Sequence, residues 1–206
     1  MPYLMLSSTI GRPDVELDDH WQKEWGLRSK LFTGPYTRGE AIEAKYFPEG
    51  GYLNNRIVSL PTFFNSGHLY CNEEMKEILI NEFDGKLHNF VPIQLRKSKK
   101  GAFLETIYFI NILAPLDCID VEKSSEVEFK KRYDGLAKSI NCLGLKTAEK
   151  KGIKSIVLRQ SAIEGRHLWY DTMTRSTDKM FISDALYDRL QQLKCGGVRY
   201  FKAYAE

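Results

Sequence analysis

The sequence predicts an α+β fold: a mainly antiparallel sheet with a few short helices. Three observations carry this prediction. A helix-to-strand unit is written twice, two long β-rich runs are joined by a short polar loop, and strands and helices intermix without regular β-α-β alternation. The first copy runs from Asn72 through Leu79 to Phe83-Asp-Gly85 and Leu87-His-Asn-Phe90. The second runs from Ser183 through Leu190 to Leu193-Lys-Cys-Gly-Gly197 and Val198-Arg-Tyr-Phe201. Each opens on a capping residue followed by an acidic first turn, which suits the positive end of a helix dipole. Met75, Ile78 and Leu79 form one apolar stripe; Leu186, Leu190 and Leu193 form the other. Gly85 and Gly196 stand where a left-handed C-terminal cap is expected, with β-rich sequence after each. A duplication and two independent helix-to-strand units would both give this pattern.

Along the chain, Tyr3 to Ile10 reads as a first strand, stopped by Gly11-Arg12-Pro13. Asp14 to Gly51 is irregular, with turns at Gly34-Pro35 and Gly50-Gly51. Within it, Trp21 and Trp25 are spaced to share one face of a short helix, and Leu31–Thr33 and Ala41–Phe47 read as strands. Leu87–Leu95 and Ala102–Leu113 read as a long antiparallel hairpin turned by the basic loop 96–101. Residues 114–120 read as a loop or sharp strand exit, and Ser124–Tyr133 as a solvated charged segment. Lys146–Lys151 reads as a charged connector, with strands at Lys154–Leu158 and His167–Tyr170. No Pro- or Gly-rich linker divides residues 1–206, so one compact domain is expected, in one lobe or two.

Composition narrows the function classes. With 206 residues, 43% of them hydrophobic and 28% charged, the chain can bury a sizeable core. A net charge of +3 offers no clustered basic face for nucleic acid or an anionic membrane. The four cysteines, at 71, 118, 142 and 195, lack paired short spacings and read as reduced thiols. The start, Met1-Pro-Tyr-Leu, lacks a basic region, and the apolar run 103–116 is too short for a bilayer. A cytoplasmic protein is expected.

Local motifs write no reaction. His68 and Cys71 form an isolated H-x-x-C, no nucleophile elbow exists, and no glycine-rich loop precedes a helix. No catalytic residue, metal ligand or cofactor is expected. Two places nonetheless stand out. Asp117 and Asp120 flank Cys118-Ile119 after an apolar strand: a corner that meets a partner, an acid/base pair, or a turn fixed by backbone N–H groups. Trp169 and Asp171 lie in Leu168-Trp-Tyr-Asp171, either an aromatic interface anchor or a core strand ending at a polar turn. The cluster Arg96, Lys97, Lys99, Lys100 reads as a solvated hairpin tip.

Taken in order, Tyr108-Phe-Ile-Asn-Ile-Leu-Ala-Pro-Leu-Asp117-Cys-Ile-Asp120 with Ser124, then Leu168–Asp171, then Met180–Leu186 through Gly197–Phe201, resemble immunity protein family eleven of bacterial polymorphic toxin systems. The Leu69–Leu95 unit fits as well, so the resemblance spans about residues 55–204. It implies a protein encoded beside a toxin that protects the producing cell by binding and occluding that toxin. Asp117, Asp120, Trp169 and Asp171 become the candidate contacts with the cognate toxin. Two other classes stay open: a small enzyme whose Asp117, Asp120, Asp171 or His167 converge in a cleft, and an interaction module unrelated to toxins.

Overall fold

A computed structural model describes residues 1–8, 11–18, 39–55, 59–113, 115–132, 135–174 and 179–206. Trp21, Trp25 and the strand expected at 31–33 lie outside the described residues. In chain order the strands are β1 (Tyr3–Ser7), β2 (Val15–Leu17), β3 (Gly50–Leu53), β4 (Phe63–Asn65), β5 (Leu69–Cys71), β6 (His88–Arg96), β7 (Phe103–Ile112) and β8 (Ile119–Asp120). They continue as β9 (Val127–Arg132), β10 (Gly135–Ile140), β11 (Val157–Leu158), β12 (Leu168–Tyr170), β13 (Lys179–Ile182), β14 (Cys195–Gly196), β15 (Val198–Lys202) and β16 (Tyr204–Ala205). The helices are α1 (Glu73–Glu82), α2 (Leu145–Lys150), α3 (Gln160–Ile163) and α4 (Asp184–Gln191). The fold is α+β, with mainly antiparallel pairing.

The described residues fall into two compact units. One, residues 7–114 with 189–198, is built on a seven-stranded sheet of order β14-β4-β5-β7-β6-β3-β2. Its spine is the expected hairpin, β6 against β7 from His88↔Ile112 to Arg96↔Phe103. Val91, Ile93 and Leu95 alternate inward with Ile107 and Phe109 opposite, the period a half-buried strand requires. Pro92 lies beyond the three residues that β6 pairs with β3, so its missing N–H costs no bond on that side.

The other unit, residues 1–6 with 115–188 and 199–206, holds three small sheets, of order β12-β13-β1-β15, β16-β11-β8 and β10-β9. Leu4, Ile119, Leu158, Trp169, Phe181 and Phe201 are among its core residues. Tyr3 stacks on Tyr187 at 3.9 Å between ring centres, and Tyr200 meets Tyr187 edge-on.

Both expected helices form, and their caps are the predicted ones. Asn72 accepts the Met75 N–H at 3.0 Å, and Ser183 accepts the Leu186 N–H at 3.1 Å. The connectivity also repeats. α1 joins β5 to β6, which flank β7; α4 leads from β13 through β14 to β15, and β13 and β15 flank β1. Each helix therefore joins two strands separated by a third.

Several local expectations need correcting. Gly85 does not enter the left-handed region; it opens a short 3-10 turn, Gly85–Leu87, where a Cβ would stand 2.5 Å from the Leu79 carbonyl carbon. At the second copy Gly197, not Gly196, takes positive φ, at 66°. Gly50-Gly51 begins strand β3 rather than a turn, because β2 passes so close that a Cβ on Gly51 would lie 2.8 Å from the Glu16 carbonyl oxygen. Residues 41–47 hold a 3-10 turn, Ala44–Tyr46, in place of a strand. The segment read as solvated contains β9, whose residues Glu128 to Lys131 are exposed, and the charged connector is α2, anchored by buried Leu145 and Ala148. None of the four cysteines is in a disulfide; Cys71 and Cys118 are buried, and Cys142 and Cys195 are partly exposed.

Candidate functional site

The apolar run of β7 leads, through Pro115, to a corner at residues 116–124 that is tied down from one carboxylate. Leu116 bridges to Asp171, its N–H donating to the Tyr170 carbonyl at 3.0 Å, and the Thr172 N–H donates to the Leu116 carbonyl at 2.8 Å. These bonds bring Asp171, at the end of β12, under the chain reversal. Its Oδ2 accepts the backbone N–H groups of Cys118 at 2.9 Å and Ile119 at 2.8 Å; Oδ1 accepts that of Met173 at 2.9 Å. The side chain is wholly excluded from solvent. A buried carboxylate is tolerated only when its lone pairs are filled and its charge is met.

The charge is met by Lys138. From β10 its Nζ donates to Asp171 Oδ2 at 3.1 Å, to the Ile119 carbonyl at 2.8 Å and to Asp117 Oδ1 at 2.5 Å. All three ammonium protons have an acceptor, which offsets the desolvation of a side chain only 3% exposed. Asp117 is the outer member, about half exposed, and its second oxygen pairs with Arg159 at 3.0 Å. Arg159 also donates to the Asp117 carbonyl, while its own backbone N–H bonds to Cys118 O at 2.8 Å. Partial burial disfavours the Asp117 charge, but Lys138 and Arg159 outweigh it and hold this carboxyl below the usual aspartate range. Burial, reinforced by the Asp171 charge, pushes the Cys118 thiol up to about 12.

Asp120 closes the corner. Its Oδ1 accepts the N–H groups of Glu122 at 3.1 Å and Lys123 at 3.2 Å, an aspartate turn. Ser124 Oγ donates to the Asp120 carbonyl at 2.5 Å and accepts the Val157 N–H at 2.9 Å, locking the turn to β11. Asp117, Asp120, Glu122, Phe129, Lys138 and Arg159 are among the residues that line a cleft of about 300 Å³ at this corner.

Of the residues expected from sequence, Asp117, Asp120 and Asp171 are brought together here, by one chain reversal and one cation. Asp117 and Asp120 present oxygens at the surface; Asp171 does not. Trp169 is a core residue, 1% exposed and stacked on Phe181 with 6.1 Å between ring centres. Asp171 holds the corner through its backbone hydrogen bonds, whereas Trp169 packs in the same core cluster as Cys118 and Ile119 and lines a second, larger cavity. His167 lies apart, lining a cavity of about 690 Å³ with Arg166, Ser183 and Glu206, its Nδ1 2.8 Å from Ser183 Oγ. The acidic groups and His167 thus do not converge in one cleft. Among the described residues no set of three or more His, Cys, Asp or Glu side chains is grouped to hold a metal ion.

Sequence reasoning missed Lys138, Arg159 and Phe129. Lys138 did leave a signal: it stands between Leu136 and Ile140 on one face of a short strand, where an apolar residue is expected. Arg159 left none, since its role depends on β11 pairing with β8.

No curated protein matches the chain. The family model described as Immunity protein family (Imm11) matches residues 19–205, beginning well before the residue-55 boundary that the sequence motifs suggest. With nearly the whole chain inside that match, and with the corner built from residues that carry the resemblance, the protein belongs to the Imm11 immunity protein family.

Proposed function

We propose that this protein is a stoichiometric antitoxin: it binds a cognate protein toxin encoded beside it and occludes that toxin in the cytoplasm of the producing bacterium. The observation that carries the reading is the family match over residues 19–205. The corner geometry supports a binding role over a catalytic one. Asp171 is spent on backbone N–H groups and Lys138, and Asp117 on two cations, so neither is poised to exchange a proton with a substrate. Asp120, with one oxygen in a turn, has no ion-pair partner among the described residues to set it up as an acid or base.

Occlusion needs complementarity and slow release, and a standard interface buries roughly 1,600 Å² in total. The cleft at Asp117 and Asp120 is the contact surface we assign to it, with Trp169 and Asp171 acting by rigidity rather than by touch. Preorganised side chains bind with less entropic cost than mobile ones.

The reading is tested by tagging the chain in its native bacterium and identifying what stays bound through a high-salt wash. A one-to-one partner that is toxic alone and harmless when co-expressed supports it. Growth arrest that persists under co-expression with the neighbouring toxin overturns it.

A further inference from the structure

The cleft carries an excess of unspent negative charge beside an exposed aromatic ring. Asp117, Asp120 and Glu122 line it against Lys138 and Arg159, and both cations are bound to Asp117. Asp120 and Glu122 form no ion pair among the described residues; the nearby Lys123 is paired with Glu206. Asp120 keeps Oδ2 outside its turn, and the exposed Glu122 side chain makes no hydrogen bond among those residues.

Phe129 also lines the cleft. It sits on β9 directly across from Lys138 and is 50% exposed, although a phenylalanine normally favours burial. Among the described residues β9 pairs only with β10, so Phe129 lies on an edge strand of this sheet. Lys130 and Lys131 lie further along β9 and do not line the cleft.

We propose that the cleft receives an arginine or lysine side chain projected by the toxin, its cationic head between Asp120 and Glu122 and its stem or guanidinium plane against Phe129. This deepens the toxin-binding reading above and rests on it. Three features favour that occupant. Carboxylates without cations attract a basic group. An aromatic face adds a cation–π contact that strengthens as water is displaced. A volume of about 300 Å³ suits one inserted side chain rather than a strand or helix. The Lys138–Asp171 pair behind the floor keeps Asp117 from reorganising when the cation arrives.

The test uses the full chain and its co-purified toxin, inactivated so that it can be produced. Glu122→Lys is the first variant, because its side chain makes no bond the fold needs. The expected result is binding weakened about tenfold or more, chiefly through a slower on-rate, with the salt dependence of capture reduced. Phe129→Ala is expected to weaken binding by a similar factor, chiefly through faster release. A photo-crosslinking phenylalanine analogue at position 129 should attach within one or two residues of an arginine or lysine of the toxin. Wild-type affinity in both variants, or attachment at a segment without basic residues, overturns the cleft assignment while toxin binding itself stands. Failure of the wild-type chain to bind the toxin overturns the antitoxin reading instead.

Discussion

Lys138 Nζ lies 3.1 Å from Asp171 Oδ2, with both side chains almost wholly removed from water. Lys138 lies on β10 and Asp171 just after β12, and each satisfies a group that would otherwise be stranded in the core. Asp171→Ala leaves Lys138 charged with two of its three acceptors and frees the backbone N–H groups of Cys118, Ile119 and Met173. The expected loss is about 3–5 kcal/mol of unfolding free energy. Lys138→Met leaves Asp171 its three N–H donors but takes away its cation, so a loss of similar size is expected. Urea titration of the two variants measures both, and near-wild-type stability in either would contradict the role of this buried pair in holding the corner.

Acid should loosen the same corner from its outer side. Asp117 is partly desolvated, which opposes its charge, yet Lys138 and Arg159 hold its carboxyl below the ordinary range. A group depressed in the folded state adds stability above its unfolded value, near 4, and loses it as pH falls through the folded value. Asp184 beside the amino terminus, Glu206 beside Lys154 and Lys123, and Glu73 beside Lys76 are lowered too. The urea midpoint should therefore fall as the solution is taken below about pH 4. In Asp117→Asn that fall should be shallower, not absent.

Thiol reactivity should divide the cysteines in pairs. Burial raises the Cys71 thiol above its ordinary range and Cys118 to about 12, so neither offers thiolate at neutral pH. A maleimide applied to the native protein should label Cys142 and Cys195 only, and all four after denaturation. Mass spectrometry of the labelled peptides reads this directly; early labelling of Cys118 would mean that the corner opens in solution.

The turn after β14 offers a test of backbone geometry. Gly197 has φ of 66°, and a Cβ there would stand 2.4 Å from the Asn65 carbonyl oxygen. Gly67 has φ of 79° but open space around it. Both alanine variants pay for the left-handed backbone, and only Gly197→Ala also meets a carbonyl. Its loss should exceed about 1 kcal/mol and be the larger of the two; thermal denaturation distinguishes them.

What was legible in the sequence had a local cause. The capped helices α1 and α4 and the β6–β7 hairpin follow from side chains within a few residues of one another, and all three are present. α2 was illegible because four of its six residues are polar or charged and its stability comes from burying Leu145 and Ala148. β9 was illegible because an exposed ribbon strand buries too little to show alternation. At the corner, the aspartates were visible by type, while their partners Lys138 and Arg159 arrive through strand pairing that no local spacing encodes.

The two strand-helix-strand units differ in where their middle strand comes from. β7 follows β6 immediately, so the first unit completes itself from neighbouring sequence. β1 comes from the opposite end of the chain, with Tyr3 against Ile182. During synthesis β1 must therefore wait for its sheet neighbours β13 and β15, which lie more than 170 residues further along the chain. The corner that carries Asp117 belongs to that late-closing unit. The corner is therefore complete only after β13 and β15 have been made, and a chain cut short before β13 would lack that sheet altogether.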